Sequence, residues 1–396
     1  MPEQIHRGTP EFRRTNLALF SAGFATFSLL YCVQPLMPVF AREFRVSAAQ
    51  SSLSLSLTTG LLAPSMIVAG ALSESRGRKP MMVASLLASA LLTVLSAFIT
   101  NWHLFLATRA LAGVAFAGLP AISMAYLAEE VHPASIGLAM GLAIGGNGLG
   151  GMIGRLLTAL ITDLTSWRFA VGTIGVLGLV ATLIFWRTLP ASRNFHPRPP
   201  RVRALAASFA HQLRRGELVG LFGVGFLFMG SFVTSYNYIT YDLLAPPYRL
   251  SQSMVGLIFV VYLVGIGSSA WIGGMADRAG RGRMLVLMFA VMLGGVGLTM
   301  LRPLPLVVAG VAVITFGFFG GHSVASSWVG LRARDAKAQA SALYLFFYYM
   351  GSSVAGSVGG LFWDDAQWAG VAAFVAAMLI AGVLLALVSA RRLAVA

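Results

Sequence analysis

A chain of 396 residues that is 57% hydrophobic and only 10% charged, with a mean hydropathy of +0.80, cannot cover itself with a water-compatible surface; a soluble domain spends about 25% of its residues on charge. The formal net charge of +15 would suit a nucleic-acid partner, but the cations are not gathered on one module and fall instead in short gaps between apolar runs. Cys32 is the one cysteine, so no disulfide can form within the chain.

Residues 1–16 are polar and carry Arg7, Arg13 and Arg14. The apolar run that follows is too long for a signal-peptide core and lacks a small-residue cleavage site, so it reads as a first membrane span. A span needs about 20 apolar residues. Runs of that kind predict spans at 17–40, 51–72, 81–100, 103–126, 137–160 and 168–187. Then the material changes. Arg193, Arg198, Arg201, Arg203, Arg214 and Arg215, with four prolines, mark a solvated linker holding a short surface helix at 205–214. Six more spans are predicted at 218–241, 254–276, 284–301, 306–327, 338–361 and 370–387. The expected organisation is an all-α integral membrane protein of twelve helices: a six-helix bundle over 1–186, a basic linker over 187–216 and a second six-helix bundle over 217–396.

Cations on short loops resist translocation, so their distribution sets orientation. With the amino terminus inside, 21 of the 28 Lys and Arg fall on inner segments, and only Arg42, Arg45, Arg168, Arg249 and Arg302 fall on outer ones. Both termini and the linker are therefore expected in the cytoplasm. Arg109 and Arg155 are left within spans.

The two halves echo each other. Residues 70–80 read Gly-Ala-Leu-Ser-Glu-Ser-Arg-Gly-Arg-Lys-Pro, and 203 positions later 273–283 read Gly-Gly-Met-Ala-Asp-Arg-Ala-Gly-Arg-Gly-Arg. Gly70, Glu74, Gly77 and Arg78 match Gly273, Asp277, Gly280 and Arg281. Gly145, Gly150 and Gly154 likewise match Gly351, Gly356 and Gly360. Two like-facing six-span halves form a parallel repeat, in which one half is expected to rock against the other around a central site.

These residues carry a resemblance. Gly70-x-Leu72-Ser73-Glu74-x-x-Gly77-Arg78-Lys79 resembles the loop signature between spans 2 and 3 of the major facilitator superfamily. Arg109-x-x-x-Gly113 resembles that family's span 4 signature, and the glycine-rich fifth span is similar to its antiporter signature. Glu74 replaces the usual Asp, Ala112 the usual Gln and Asn147 the usual proline. Tyr31-Cys32-Val33-Gln34-Pro35 and the run 320–328, Gly-Gly-His-Ser-Val-Ala-Ser-Ser-Trp, resemble the YnfM-type branch of bacterial inner-membrane carriers placed among drug and sugar exporters. The resemblance implies proton-driven antiport of a drug-like or sugar-like molecule by alternating access, with spans 1, 4, 7 and 10 lining the path. The residues themselves support only a carrier. A proton-independent or uptake facilitator remains an alternative, and a non-transporting membrane sensor or lipid-handling protein another.

Candidate site residues follow from cost. Arg109 sits about six residues into its span, roughly 9 Å deep at 1.5 Å per residue. A buried guanidinium there is expensive unless it faces water or a partner, so Arg109 is a site candidate, with snorkelling to the headgroups as the plain alternative. Arg155 lies at similar depth, nearer a span end. No Asp or Glu falls deep in a span, so His322 is the best internal candidate for carrying a proton and Asp242, beside Tyr236, Asn237 and Tyr241, the second, with Arg109 a further one. Thr315, Phe319, His322 and Ser326 share one helical face. Phe20, Phe24, Phe27, Tyr31 and Gln34 form a stripe ending in two polar groups, and Tyr236 and Asn237 sit in the seventh span; lipid would leave these groups unpaired, which favours cavity lining. Glu74 and Asp277, with Arg78 and Arg281, are read as a gate latch, and Gly77 and Gly280 as tight turns beside it. Gly141, Gly145, Gly150 and Gly154 are read as a close-packing face. Gly146-x-Gly148-x-x-Gly151 matches the dinucleotide fingerprint in letters, but no strand precedes it and it lies within a span, so that reading is rejected. No cofactor or metal is expected; the expected partners of a monomer are a small-molecule substrate, protons and the bilayer.

Overall fold

The computed structural model describes residues 4–197, 202–333 and 337–395; Arg198, Arg201, Arg334 and Asp335 lie outside the described residues. The chain is all helix apart from short connections. In order the helices are α1 (Pro10–Tyr31), α2 (Met37–Glu43), α3 (Ala48–Arg76), α4 (Arg78–Ser96), α5 (Trp102–Phe116), α6 (Gly118–Glu130), α7 (Pro133–Leu164) and α8 (Trp167–Thr188). They continue as α9 (Val202–Arg214), α10 (Gly216–Leu244), α11 (Gln252–Leu257), α12 (Tyr262–Ala279), α13 (Arg281–Thr299), α14 (Leu304–Arg332) and α15 (Lys337–Val395). Among the described residues, eleven helical stretches are long and apolar enough to cross a membrane. The last breaks at non-helical Ala366 and Gln367, which divides it into two spans and makes twelve. Helices satisfy their own backbone groups, the condition for crossing lipid.

Two compact units emerge, one of residues 1–36 with 61–201 and one of 37–60 with 202–396. Segment 37–60, which chain order puts in the first expected bundle, groups with the second unit. Its buried residues include Ser51, Ser52, Ser54, Ser56, Thr58 and Thr59, with Leu55 among them. Ser353 Oγ donates to the Ser56 carbonyl at 2.7 Å, and the hydroxyls of Ser51 and Tyr241 meet at 2.5 Å. Small side chains allow that close approach, and Ser51, Ser52, Thr58 and Thr59 donate to carbonyls of their own helix.

Each unit repeats one helix crossing. In the first, Gly146, Gly150 and Gly154 of α7 lie against the backbone of Phe20, Phe24 and Ser28 of α1; a Cβ at Gly146 would stand 2.5 Å from the Phe20 carbonyl oxygen. In the second, a Cβ at Gly351 would fall on the Phe226 carbonyl of α10. The expected packing face was one residue out of register at its start. Gly141 and Gly145 face open space, and Gly146 takes their place.

The basic loops are sharp helix breaks, with Gly77 at φ 95° and Gly280 at φ 92°, a region that costs other residues Cβ clashes. Arg45 at φ 54° and Arg249 at φ 49° form a second matched pair, each two residues before a serine, Ser47 or Ser251, whose hydroxyl accepts a backbone N–H three residues on.

Candidate functional site

Chemistry concentrates where α1 ends. Helix α1 stops at Tyr31, and Gln34–Leu36 form a single 3-10 turn before α2, a break that Pro35 and Pro38 enforce by lacking N–H donors. Cys32, Val33, Gln34 and Leu36 are wholly buried at the break. Two arginines converge on it. Arg109 of α5, 0% exposed, donates from Nη2 to the Leu30 carbonyl at 3.0 Å. Arg155 of α7, 2% exposed, donates from Nε to Gln34 Oε1 at 2.6 Å and from Nη1 to its own helix at Gly151 O, also 2.6 Å. Its guanidinium lies 4.1 Å above the Tyr31 ring. Neither arginine snorkels. The Phe27 and Tyr31 rings are 6.0 Å apart at the same end of α1. Thus Tyr31, Gln34, Arg109 and Arg155 form one buried cluster in the first unit, with half-buried Phe27 beside Tyr31. The broken helix supplies carbonyls that ordinary helix geometry would have consumed.

The second unit holds an aromatic cluster. Tyr236 of α10 shares a hydrogen bond with Thr315 of α14, hydroxyl to hydroxyl at 2.7 Å, and its ring packs on Phe259 and Tyr262. Phe232 stacks on Phe318 at 3.8 Å between centroids. Half-buried His322 is sandwiched, with Phe318 6.0 Å away and nearly parallel and Tyr348 at 4.6 Å. Its Nδ1 meets the Tyr344 hydroxyl at 2.8 Å. The shared face expected of Thr315, Phe319 and His322 is the face that meets these rings. Asn237 is buried on α10 beside Gly356 and Ser56.

Asp242 does not join this cluster. It ends α10 near Tyr248, whose phenol is raised above its ordinary range chiefly by burial and then by the Asp242 charge, against a smaller opposing effect of Arg302. The latch also differs from expectation. Arg78 pairs with Glu129 at the end of α6, Nη2 to Oε1 at 2.6 Å and Nε to Oε2 at 3.2 Å, while Glu74 is exposed. Asp277 pairs with Arg281 one turn along its own loop. Around the Arg78–Glu129 pair, Glu130 accepts both the backbone and the side-chain N–H of Asn194, at 2.9 and 3.1 Å, and Tyr126 donates to the Pro190 carbonyl at 3.0 Å. By sequence Glu129 and Glu130 are acids at inner span ends and Tyr344 is only a weaker lining candidate; their partners show only in their placement beside other helices. Among the described residues no group of His, Cys, Asp or Glu is arranged to hold a metal.

Twelve membrane spans, a doubled unit and buried polar clusters at membrane depth define a multi-pass carrier. Residues 19–356 match the Major Facilitator Superfamily. The chain is 51% identical over 376 residues to the "Uncharacterized MFS-type transporter YybF" of Bacillus subtilis (strain 168), covering 95% of this chain and 93% of that protein. It is 49% identical over 389 residues to the "Inner membrane transport protein YnfM" of Escherichia coli (strain K12), covering 98% and 93%. Among solved structures, a nucleoside transporter NupG variant superposes with a TM-score of 0.79 at 13% identity, over 95% of this chain and 99% of that one. A bacterial homologue of the lysosomal transporter Spinster gives 0.74 at 15%, over 97% and 96%. Identities this low speak to fold alone. The chain belongs to the Major Facilitator Superfamily; it is a transporter, not an enzyme.

Proposed function

We propose that this transporter exports a small organic molecule from a bacterial cytoplasm by alternating access, driven by protons, with the inner membrane as its site and both termini cytoplasmic. The observation that carries the reading is the convergence of Arg109 and Arg155 on the broken end of α1, next to Tyr31 and Gln34. Buried guanidiniums at membrane depth are costly and mark a solute path. Together with the absence of Asp and Glu deep in any span, they favour a hydroxylated or weakly anionic solute over a dication. Phe27, Tyr31, Gln34, Arg109, Tyr236, Asn237 and His322 are the proposed lining, and His322 the first candidate for the coupled proton. The organisation proposed for transport is two six-span bundles joined by the basic linker.

The orientation rests on the cation distribution and is tested by reporter fusions at the linker and termini. Function is tested in everted vesicles by following solute flux with and without a pH gradient, after a thermal-shift screen of antimicrobials, sugars and organic acids. Export requires accumulation that collapses with the gradient. Flux indifferent to the gradient would make the protein a facilitator, and binding without any flux would remove transport of that solute.

A further inference from the structure

The His322–Tyr344 pair fixes more than a contact. Tyr344 is buried, and its hydroxyl makes one hydrogen bond among the described residues, to His322 Nδ1. If Nδ1 carried the imidazole proton, the phenol oxygen would have to accept it, and the phenol's own buried O–H would have no acceptor among the described residues. With Nδ1 bare, the phenol donates to it and the buried phenol proton has its acceptor. The imidazole proton then sits on Nε2, the nitrogen turned away from Tyr344. Nε2 makes no hydrogen bond among the described residues, and His322 is half-buried, as are Phe319 and Tyr348 beside it. The donor therefore projects from between two rings, Phe318 and Tyr348, with Phe319 and Tyr262 edge to face at 5.5 Å close by.

We infer that Tyr344 is a positioning residue that presents His322 as an Nε2–H donor, so that the second unit recognises a solute bearing a flat ring and an adjacent acceptor oxygen, whether hydroxyl, carbonyl or carboxylate. Stacking favours the ring and the single donor selects the oxygen. The inference rests on the reading of His322 as part of the transport site.

Nitrogen NMR on histidine-labelled protein in micelles tests it without a known substrate. The chain has 6 His, and His322→Gln identifies the signal by deleting it. At about pH 9, where imidazole is neutral, the expected spectrum shows the Nε2–H tautomer in the native protein and a mixture of tautomers in Tyr344→Phe. An Nδ1–H signal in the native protein overturns the inference, and so does a Tyr344→Phe spectrum identical to the native one. If that variant does not fold, the native tautomer alone decides. Titration with salicylate, a ring with acceptor oxygens, should move the Nε2–H signal, whereas aniline, a ring that offers donors, should not. The reverse result, or no movement with either probe, overturns the solute class. The site reading fails separately. Gln can place an amide N–H where Nε2–H stands but carries no titratable proton, and Asn does not reach, so His322→Gln should keep solute flux down its own gradient while losing the coupling to protons, and His322→Asn should lose both. Normal flux in both would remove His322 from the site even with the tautomer as inferred.

Discussion

Arg155 reaches from α7 to Gln34, beyond the end of α1, donating Nε to Oε1 across 2.6 Å while its guanidinium covers the Tyr31 ring. Two directed donors and a flat cationic face are used at once, a combination available to arginine alone.

Arg155→Lys should therefore behave as a loss. Lysine restores the charge but neither the fork nor the stacking, and hydrogen bonds to charged groups contribute about 1.5–3 kcal/mol. Transport should fall by about tenfold or more while the amount of protein in the membrane stays unchanged, as measured by flux and immunoblot on the same vesicles. Native flux in the lysine variant would reduce Arg155 to a point charge.

Arg109→Ala should abolish transport and leave insertion intact. The guanidinium is fully buried and holds the Leu30 carbonyl in the last turn of α1. Full flux in this variant would exclude Arg109 from the mechanism.

The glycines offer an internally controlled comparison. Gly150→Ala and Gly154→Ala push a methyl into the backbone of Phe24 and Ser28, whereas Gly141→Ala and Gly145→Ala add one to open space. Overpacking typically costs about 1–3 kcal/mol, so the first two should lower the melting temperature, and the second two should hold or raise it because alanine favours helix. Equal melting temperatures for all four would mean that α1 and α7 separate readily.

At the basic end, Glu129→Gln should matter more than Glu74→Gln. Glu129 accepts both Arg78 donors, Arg78 is nine-tenths buried, and Glu74 is exposed. Removing Glu129 should increase trypsin cutting, and labelling of a cysteine introduced at Ser192, within residues 189–195, which Lys79, Tyr126 and Glu130 hold beside it. Charge reversal of both partners should restore part of the protection. Asp277→Asn should change little, since its pair with Arg281 is exposed and such pairs contribute about 0–1 kcal/mol. A larger effect at Glu74 or Asp277 than at Glu129 would reinstate the latch read from the repeat.

Much of the fold was legible because the relevant signals are local. Apolar runs predict spans, cations mark their ends, and the turns at Gly77 and Gly280 stand out by composition. Arg109, Arg155, Tyr31 and Gln34 were legible as individually costly residues. Their convergence on one helix break was not, since periodicity says how a helix is striped and nothing about which helix it meets. The same gap explains the partner of Arg78, 51 positions away at Glu129, and the one-residue error between Gly145 and Gly146. Asp242 was drawn toward the site by proximity in sequence to Tyr236 and Asn237, but it lies further along α10, at the helix end.

The serine-lined segment 37–60 binds partners made very late: Ser56 and Ser353 are 297 residues apart. On the ribosome that polar face must wait through almost the whole of synthesis before its acceptors and donors arrive. Cutting the polypeptide at the linker would thus give no pair of self-sufficient fragments, since the early piece would carry an orphaned stretch and the late piece a vacant seam. Only co-expression could mend both.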